Sequence, residues 1–304
     1  MAEKKYTPMM QHYLKMKEEN PDSILFYRLG DFYEMFFEDA KLVSQELDLV
    51  LTGRSAGVEE KVPMCGIPFH AANSYIQRLV KKGYKVAICE QLEDPSSAKG
   101  LVDRGIIKII TPGTYMDATM DAKSTNYMAS CDVSSFEITV IYCELSTGEL
   151  KYQTLQRSLV ALQKALLEQN VSELVCPMTM DKKWMAALEE MDTMLISKHK
   201  KANIDPEDLP LLNGIESESL KEAFALLMAY LKDTQKQRID HFLPIESMDK
   251  DKVLVMDYET KNHLELVSSQ SSNAKAESLW SFMDKCQSAM GSRMLKRWIE
   301  YPLI

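Results

Sequence analysis

Between residues 127 and 155 the chain holds three strand-like runs, Tyr127–Val133, Phe136–Leu145 and Glu149–Leu155. They are joined only by Ser134-Ser135 and Ser146-Thr147-Gly148. Connections this short cannot carry a crossover, so the three runs must pair antiparallel as a meander. Downstream, helix and strand signals alternate: Leu159–Glu168, Leu174–Cys176, Lys182–Glu190 and Met194–Ser197, then a helix over Glu218–Lys232. Strands first and βα units afterwards predict an α/β domain with a mixed sheet, much as in ribonuclease-H-like folds.

The residues before this region form a second mixed α/β pattern. Thr7-Pro8 predicts a helix start, with a capping hydroxyl and then proline at the first helical position. Met10, Tyr13, Leu14 and Lys17 follow at helical spacing, and Asn20-Pro21 stops the helix. Ile24–Leu29 reads as a strand bent at Gly30-Asp31, Asp39–Leu47 as a helix and Leu49–Thr52 as a strand. Gly53 to Pro63 reads as a polar loop, and Ala71–Lys82 as a helix stopped by Gly83. Tyr84–Cys89 and Ile106–Ile110 are β-branched strand candidates, and the unit ends near Thr111-Pro112-Gly113-Thr114. Residues 116–126 are small and polar, a linker. From Pro244 the texture changes again: Val253–Met256 is strand-like and Tyr258–Val267 helical. Leu279, Trp280, Met283, Met290, Met294 and Trp298 fit helices that need partners, and the apolar end at Tyr301-Pro302-Leu303-Ile304 reads as a cut inside a larger protein.

At 304 residues the chain suggests about two domains of ~150 residues. Its 36 Lys+Arg against 45 Asp+Glu exclude a chain that coats nucleic acid through bulk positive charge, but not a local basic face. The acid is unevenly spread, net −1 over residues 1–116 and −8 over 117–304, while 76–108 is net +3. A surface for a polyanion therefore belongs in the first third. Six cysteines occur without a CxxC pair, which predicts reduced thiols. No apolar run approaches the ~18 residues of a membrane span, and no secretory leader is visible, so a soluble, cytoplasmic chain is expected.

The segment richest in information is Gly30-Asp31-Phe32-Tyr33-Glu34-Met35-Phe36-Phe37-Glu38. On an extended chain Phe32 and Glu34 share a face ~6–7 Å apart. A ring beside a carboxyl suits the probing of a base step: the ring wedges between bases and the carboxyl tests an exposed base edge. Composition alone favours the plainer reading, a core ring and a solvated carboxylate. Arg54, Lys61, the run Arg78, Lys81, Lys82, Lys85, and Lys108 are candidate phosphate contacts, against a solvated face for any one of them. Gly100-x4-Gly105 lacks the Lys-Ser/Thr of a phosphate loop, since Ile106-Ile107 stands there. Asp132 invites a metal-dependent nuclease reading, but Glu137 and Glu144 share no obvious face with it. His12, His70, His199, His241 and His263 are isolated and form no zinc spacing.

Several blocks then converge. Thr7-Pro8-Met9-Met10-Gln11-x-Tyr13-Leu14, Phe26-Tyr27-Arg28-x-Gly30-Asp31-Phe32-Tyr33-Glu34 and Met64-x-Gly66-Ile67-Pro68-x-His70 resemble the amino-terminal part of the bacterial MutS family of DNA mismatch recognition proteins. So do Ala87-Ile88-Cys89-Glu90-Gln91, Thr111-Pro112-Gly113-Thr114 and Met290-Gly291-Ser292-Arg293-Met294-Leu295-Lys296-Arg297-Trp298. The resemblance implies an α/β chain in three parts. Residues 1–115 are a mixed-sheet mismatch-binding domain, 116–126 a linker, 127–243 a ribonuclease-H-like connector and 244–304 the start of an α-helical core or lever domain.

It also implies roles. Phe32 stacks on a mispaired base from the minor groove of kinked DNA, and Glu34 hydrogen-bonds that base, with Tyr33 supporting the fold. Arg54, Lys61 and Lys108 remain the backbone-contact candidates from charge and placement. The partners implied are mismatched double-stranded DNA and, for a full-length protein, MutL and a second MutS subunit, with no membrane. ATP and Mg belong to the full-length family protein, whose ATPase domain lies beyond Ile304. This stretch is expected to hold no cofactor, no metal and no enzymatic activity. The other readings are a nuclease built on the 127–243 unit, and a docking scaffold in which the acidic 117–304 part binds repair partners.

Overall fold

A computed structural model of the chain describes residues 6–93, 102–116, 125–248, 253–254, 256–270 and 278–304. It divides into two units, 1–115 with 230–238, and 116–229 with 239–304. The expected linker lies mostly outside the described residues, as does Gly100.

The first unit opens with α1 (Pro8–Glu19). Thr7 occupies the N-cap, but its hydroxyl makes no cap bond, contrary to the sequence expectation. Its backbone N–H instead donates to the Ala56 carbonyl at 2.9 Å. Then come β1 (Ser23–Leu29), β2 (Phe32–Phe36), α2 (Phe37–Leu47), β3 (Thr52–Arg54), β4 (Val62–Pro68), α3 (Ala72–Lys81), β5 (Lys85–Gln91) and β6 (Arg104–Ile110). They form a six-stranded sheet in the order β3-β4-β2-β1-β5-β6. β1 and β5 run parallel, and the other neighbours are antiparallel.

Local chemistry explains most of these boundaries. Gly30 takes φ +58°, which lets β1 turn into β2 through Gly30-Asp31 between the paired Leu29 and Phe32. α3 ends as Gly83 (φ +85°) donates to the Val80 carbonyl and Tyr84 to that of Leu79, the paired bonds of a Schellman stop. Phe37 enters α2 at φ +53°, a strained position for an aromatic residue. Its ring is held edge-on to Tyr6, with centroids 5.8 Å apart, and lies 6.3 Å from Tyr13.

Two expectations need correction here. The strand placed at Leu49–Thr52 instead begins at Thr52, because Asp48 ends α2 in the left-handed region and Leu49 still bonds back to the Ser44 carbonyl. The loop placed at 53–63 contains most of β3 and the start of β4. Successive strand residues alternate between faces. On one face α1 buries Met10 and Tyr13 against Leu25, Tyr27, Phe36, Ala87, Cys89 and Ile109. On the other lies α2, whose Ala40 carbonyl accepts from the Cys65 thiol at 3.4 Å.

The second unit carries β7 (Tyr127–Val133), β8 (Glu137–Glu144), β9 (Glu149–Gln156), α4 (Leu159–Glu168), β10 (Val171–Pro177), α5 (Lys182–Glu189) and β11 (Leu195–His199). α6 (Glu218–Gln235), β12 (Glu246–Ser247), α7 (Tyr258–His263), α8 (Leu279–Met283) and α9 (Ala289–Glu300) follow, although α6 from Tyr230 groups with the first unit. The sheet order is β11-β10-β7-β8-β9-β12. The antiparallel β7-β8-β9 meander is present, with β10 parallel to β7 and β11 parallel to β10. α7 stops short of Val267 because Glu265 takes φ +49°. Val253 forms only an isolated bridge to Leu303 rather than a strand. All six cysteines are free thiols, and five are buried. No helix among the described residues is long and apolar enough to cross a membrane.

Candidate nucleic-acid interface

Phe32 is the first residue of β2, directly after the Gly30-Asp31 turn. Phe32 is 47% exposed, so it is not the core residue that composition favours. Glu34 lies two residues on and therefore on the same face. In register, Phe32 stands between Leu29 and Pro68, and Glu34 between Tyr27 and Gly66. Gly66 adds no side chain on that face beside Glu34; a Cβ there would lie 3.5 Å from the Glu34 Cγ. Tyr33 points to the opposite face, where its ring packs 5.9 Å from that of Phe26 and its hydroxyl donates to Glu90.

Glu34 is not freely solvated. Its Oε2 accepts from Arg54 Nη1 in an ion pair, with 17% of the Glu34 side chain and 36% of the Arg54 side chain exposed. Arg54 comes from β3, two strands away across β4, and its guanidinium also stands 5.9 Å from the centre of the Phe36 ring. Two residues proposed separately from the sequence are thus in contact.

The other candidate cations divide. Lys61 is exposed at the start of β4, its stem lying against Gly53, where an added Cβ would come within 3.0 Å of the Lys61 Cβ. Lys108 does not join this group. It pairs with Ile88, which pairs with Phe26, so it shares the face of Phe26 and not that of Tyr27 and Glu34. Burial pushes its ammonium below the ordinary lysine range. Lys82 is bonded to Glu46 at 2.6 Å, Arg78 lies 3.9 Å from Asp48, and the Lys85 ammonium stands 5.5 Å from the Tyr230 ring centre.

The sequence gives little warning of a clamp behind the hairpin. Arg28 Nε donates to the Gly30 carbonyl at 2.5 Å, and its guanidinium lies 3.8 Å from the Phe69 ring centre. Its Nη1 is 3.4 Å from Glu90, the same carboxylate that accepts from Tyr33. The Phe69 N–H donates to the Asp31 carbonyl at 2.9 Å, and Arg104 Nε donates to the Arg28 carbonyl at 2.9 Å. Both residues of the turn are therefore tied from behind. Beside Glu34, the buried Tyr27 hydroxyl meets His12 Nδ1 at 3.0 Å, and burial raises that hydroxyl to about 12, so it stays neutral. Desolvation, aided by Arg104, lowers the His12 imidazole below its ordinary value.

In the second unit, Asp132 accepts from Lys201 at 2.9 Å and from Ser219 at 3.0 Å, while Lys201 also bonds Glu222 at 2.7 Å. Asp132 pairs with Thr139 near one end of the meander and Glu144 with Tyr127 at the other. Among the described residues no group of three or more His, Cys, Asp or Glu could hold a metal ion. The nuclease reading gains no support.

Comparison with known proteins agrees with this division of interest. Residues 7–119 match the family model of MutS domain I, and residues 259–304 that of MutS domain III. The DNA mismatch repair protein MutS of Bacillus licheniformis is 43% identical over 304 aligned residues, covering 98% of this chain and 34% of that protein. Its namesakes in Clostridium tetani and Bacillus subtilis are 41% and 42% identical, covering 99% and 98% of this chain and 35% of each relative. The chain thus spans about a third of the length of these relatives. On two domain models and near-complete alignment to these relatives, the chain belongs to the MutS family.

Proposed function

We propose that the chain is the DNA-reading part of a mismatch repair ATPase, acting on mispaired double-stranded DNA. The observation that carries this reading is the exposed Phe32 ring at a hairpin tip, with the Glu34 carboxyl on the same face. Phe32 wedges at the mispaired base from the minor groove of a kinked duplex. A mispaired step stacks poorly, so opening it costs less than opening a paired one, and discrimination follows from deformability. Base–aromatic stacking contributes about 1–3 kcal/mol and tolerates any base, as a reader of many mispairs requires.

Glu34 hydrogen-bonds the same base. Toward thymine N3–H the ionised carboxylate accepts; toward a purine N7 it must carry a proton and donate. Near phosphates an unsatisfied carboxylate is repelled, which weakens binding to intact duplex. Arg54 and Lys61 lie on or beside the β3–β4 edge and are the preferred backbone contacts. The meander unit, 127–243, is read as a ribonuclease-H-like connector after a 116–126 linker, and 244–304 as the start of a helical lever. In the full-length cytoplasmic protein, ATP, Mg, MutL and a second MutS subunit complete the system, and this stretch itself performs no catalysis.

Fluorescence anisotropy with paired and mispaired oligonucleotides, in the full-length protein, tests the reading. Phe32→Ala is expected to abolish the preference for the mispair and leave the thermal melt unchanged. Glu34→Gln, which keeps an N–H donor, should retain or tighten binding while blurring that preference. An undiminished preference in Phe32→Ala would sink the wedge.

A further inference from the structure

Arg54 and Glu34 have separate targets in this reading, a phosphate and a base, yet they form an ion pair with each other. We infer that one guanidinium serves two anions in turn: Arg54 holds the Glu34 carboxylate at rest and hands it over when a backbone phosphate arrives. The inference rests on the reading of Phe32 and Glu34 above, and makes Arg54 a positioning residue for Glu34.

The geometry favours an exchange over a fixed bridge. The pair joins β3 to β2 across β4, so either partner can withdraw without breaking a strand ladder. More than a third of the Arg54 side chain faces solvent, whereas most of Glu34 does not, so the guanidinium is the partner an incoming polyanion meets first. A partly exposed ion pair contributes little to stability and is readily traded. Guanidinium binds carboxylate and phosphate through the same two-pronged geometry, and a duplex presents one phosphate charge per ~1.7 Å. Once Arg54 has turned to phosphate, Glu34 stands beside a polyanion without the guanidinium that had paired with it. At a paired step the pairing edge of the base is already occupied and the carboxylate is repelled; at a mispaired step the displaced base offers it a hydrogen-bond partner. Docking on the backbone thereby arms the carboxyl that inspects the base.

Four proteins test this: the unmodified full-length chain, Glu34→Gln, Arg54→Gln and the double variant. Each is titrated with paired and mispaired duplex by fluorescence anisotropy over a KCl series, after a thermal melt establishes that it is folded. Losing Arg54 should weaken binding at least about threefold more when residue 34 is Gln than when it is Glu, because only with Glu does the loss also remove an ion pair that had to be broken. In the Gln background it should also reduce the salt slope by about one. A smaller or inverted difference overturns the exchange, leaving Arg54 as a phosphate contact that ignores Glu34 or as a static partner. Phe32→Ala in the same titrations reports on the wedge separately, so loss of one idea is not loss of the other.

Discussion

A single lysine contributes to DNA binding according to how freely its charge meets solvent, and Lys61 and Lys108 separate on that ground. Both are candidates by charge alone. Lys61 is exposed just before β4, beside the strand that carries Arg54, whereas Lys108 lies on β6 at the far edge of the sheet with its ammonium partly desolvated. We expect Lys61→Gln to weaken paired and mispaired duplex alike and to lower the salt slope by about one, and Lys108→Gln to leave the slope unchanged. Equal slopes for the two variants would contradict this placement. Residue type was legible at this scale, but residue partnership was not. Phe32 and Glu34 stand out in the sequence because i and i+2 on a strand must share a face. Nothing in the spacing of Glu34 and Arg54 announces their contact, since it depends on β4 lying between β2 and β3.

At the scale of elements, the β1–β2 hairpin is held by side chains from outside it. Arg28 bonds the Gly30 carbonyl, stacks on Phe69 and pairs with Glu90, while Phe69 N–H bonds Asp31. The stacked cation and its bonds together contribute on the order of 1–2 kcal/mol to keeping the turn in place. If the clamp works through shape, Arg28→Lys and Phe69→Ala should both lower mismatch preference severalfold while paired-duplex affinity stays within about twofold. A lysine variant with full preference would show that charge alone suffices. At this scale elements with regular patterns are legible in the sequence and irregular ones are not. The β7-β8-β9 meander and α4 were evident from β-branched runs, short turns and helical spacing. β4 was hidden because Pro63, Gly66 and Pro68 all disfavour a strand, and only tertiary pairing on both sides keeps it extended. β3 was displaced because the exposed apolar pair Val50-Leu51 mimics a strand without having a ladder partner.

Across the whole molecule, the unit that carries Phe32 is not continuous in sequence. Tyr230–Arg238, from the end of α6, groups with residues 1–115, and within it Tyr230, Leu231, Thr234 and Gln235 are buried. No local pattern could reveal this, because α6 reads as one amphipathic helix of the later unit and a return over more than a hundred residues leaves no periodicity. The division has an energetic consequence. A chain ending at residue 119, where the domain I match stops, would lack that segment and expose the surface around Lys85 that faces Tyr230. Burying a large apolar side chain contributes about 1.5–3 kcal/mol, an upper figure given a compact unfolded state, so the shortened unit should lose a few kcal/mol. Hydrogen exchange in the parallel β1–β5 pair is the suitable measurement, because those central amides open only with the whole unit. Protection there should fall on truncation to 1–119, and should fall part of the way with Tyr230→Ala in the intact chain. Equal protection in the shortened and intact chains would mean that the first 115 residues are energetically complete, and that the end of α6 rests on them without supporting them.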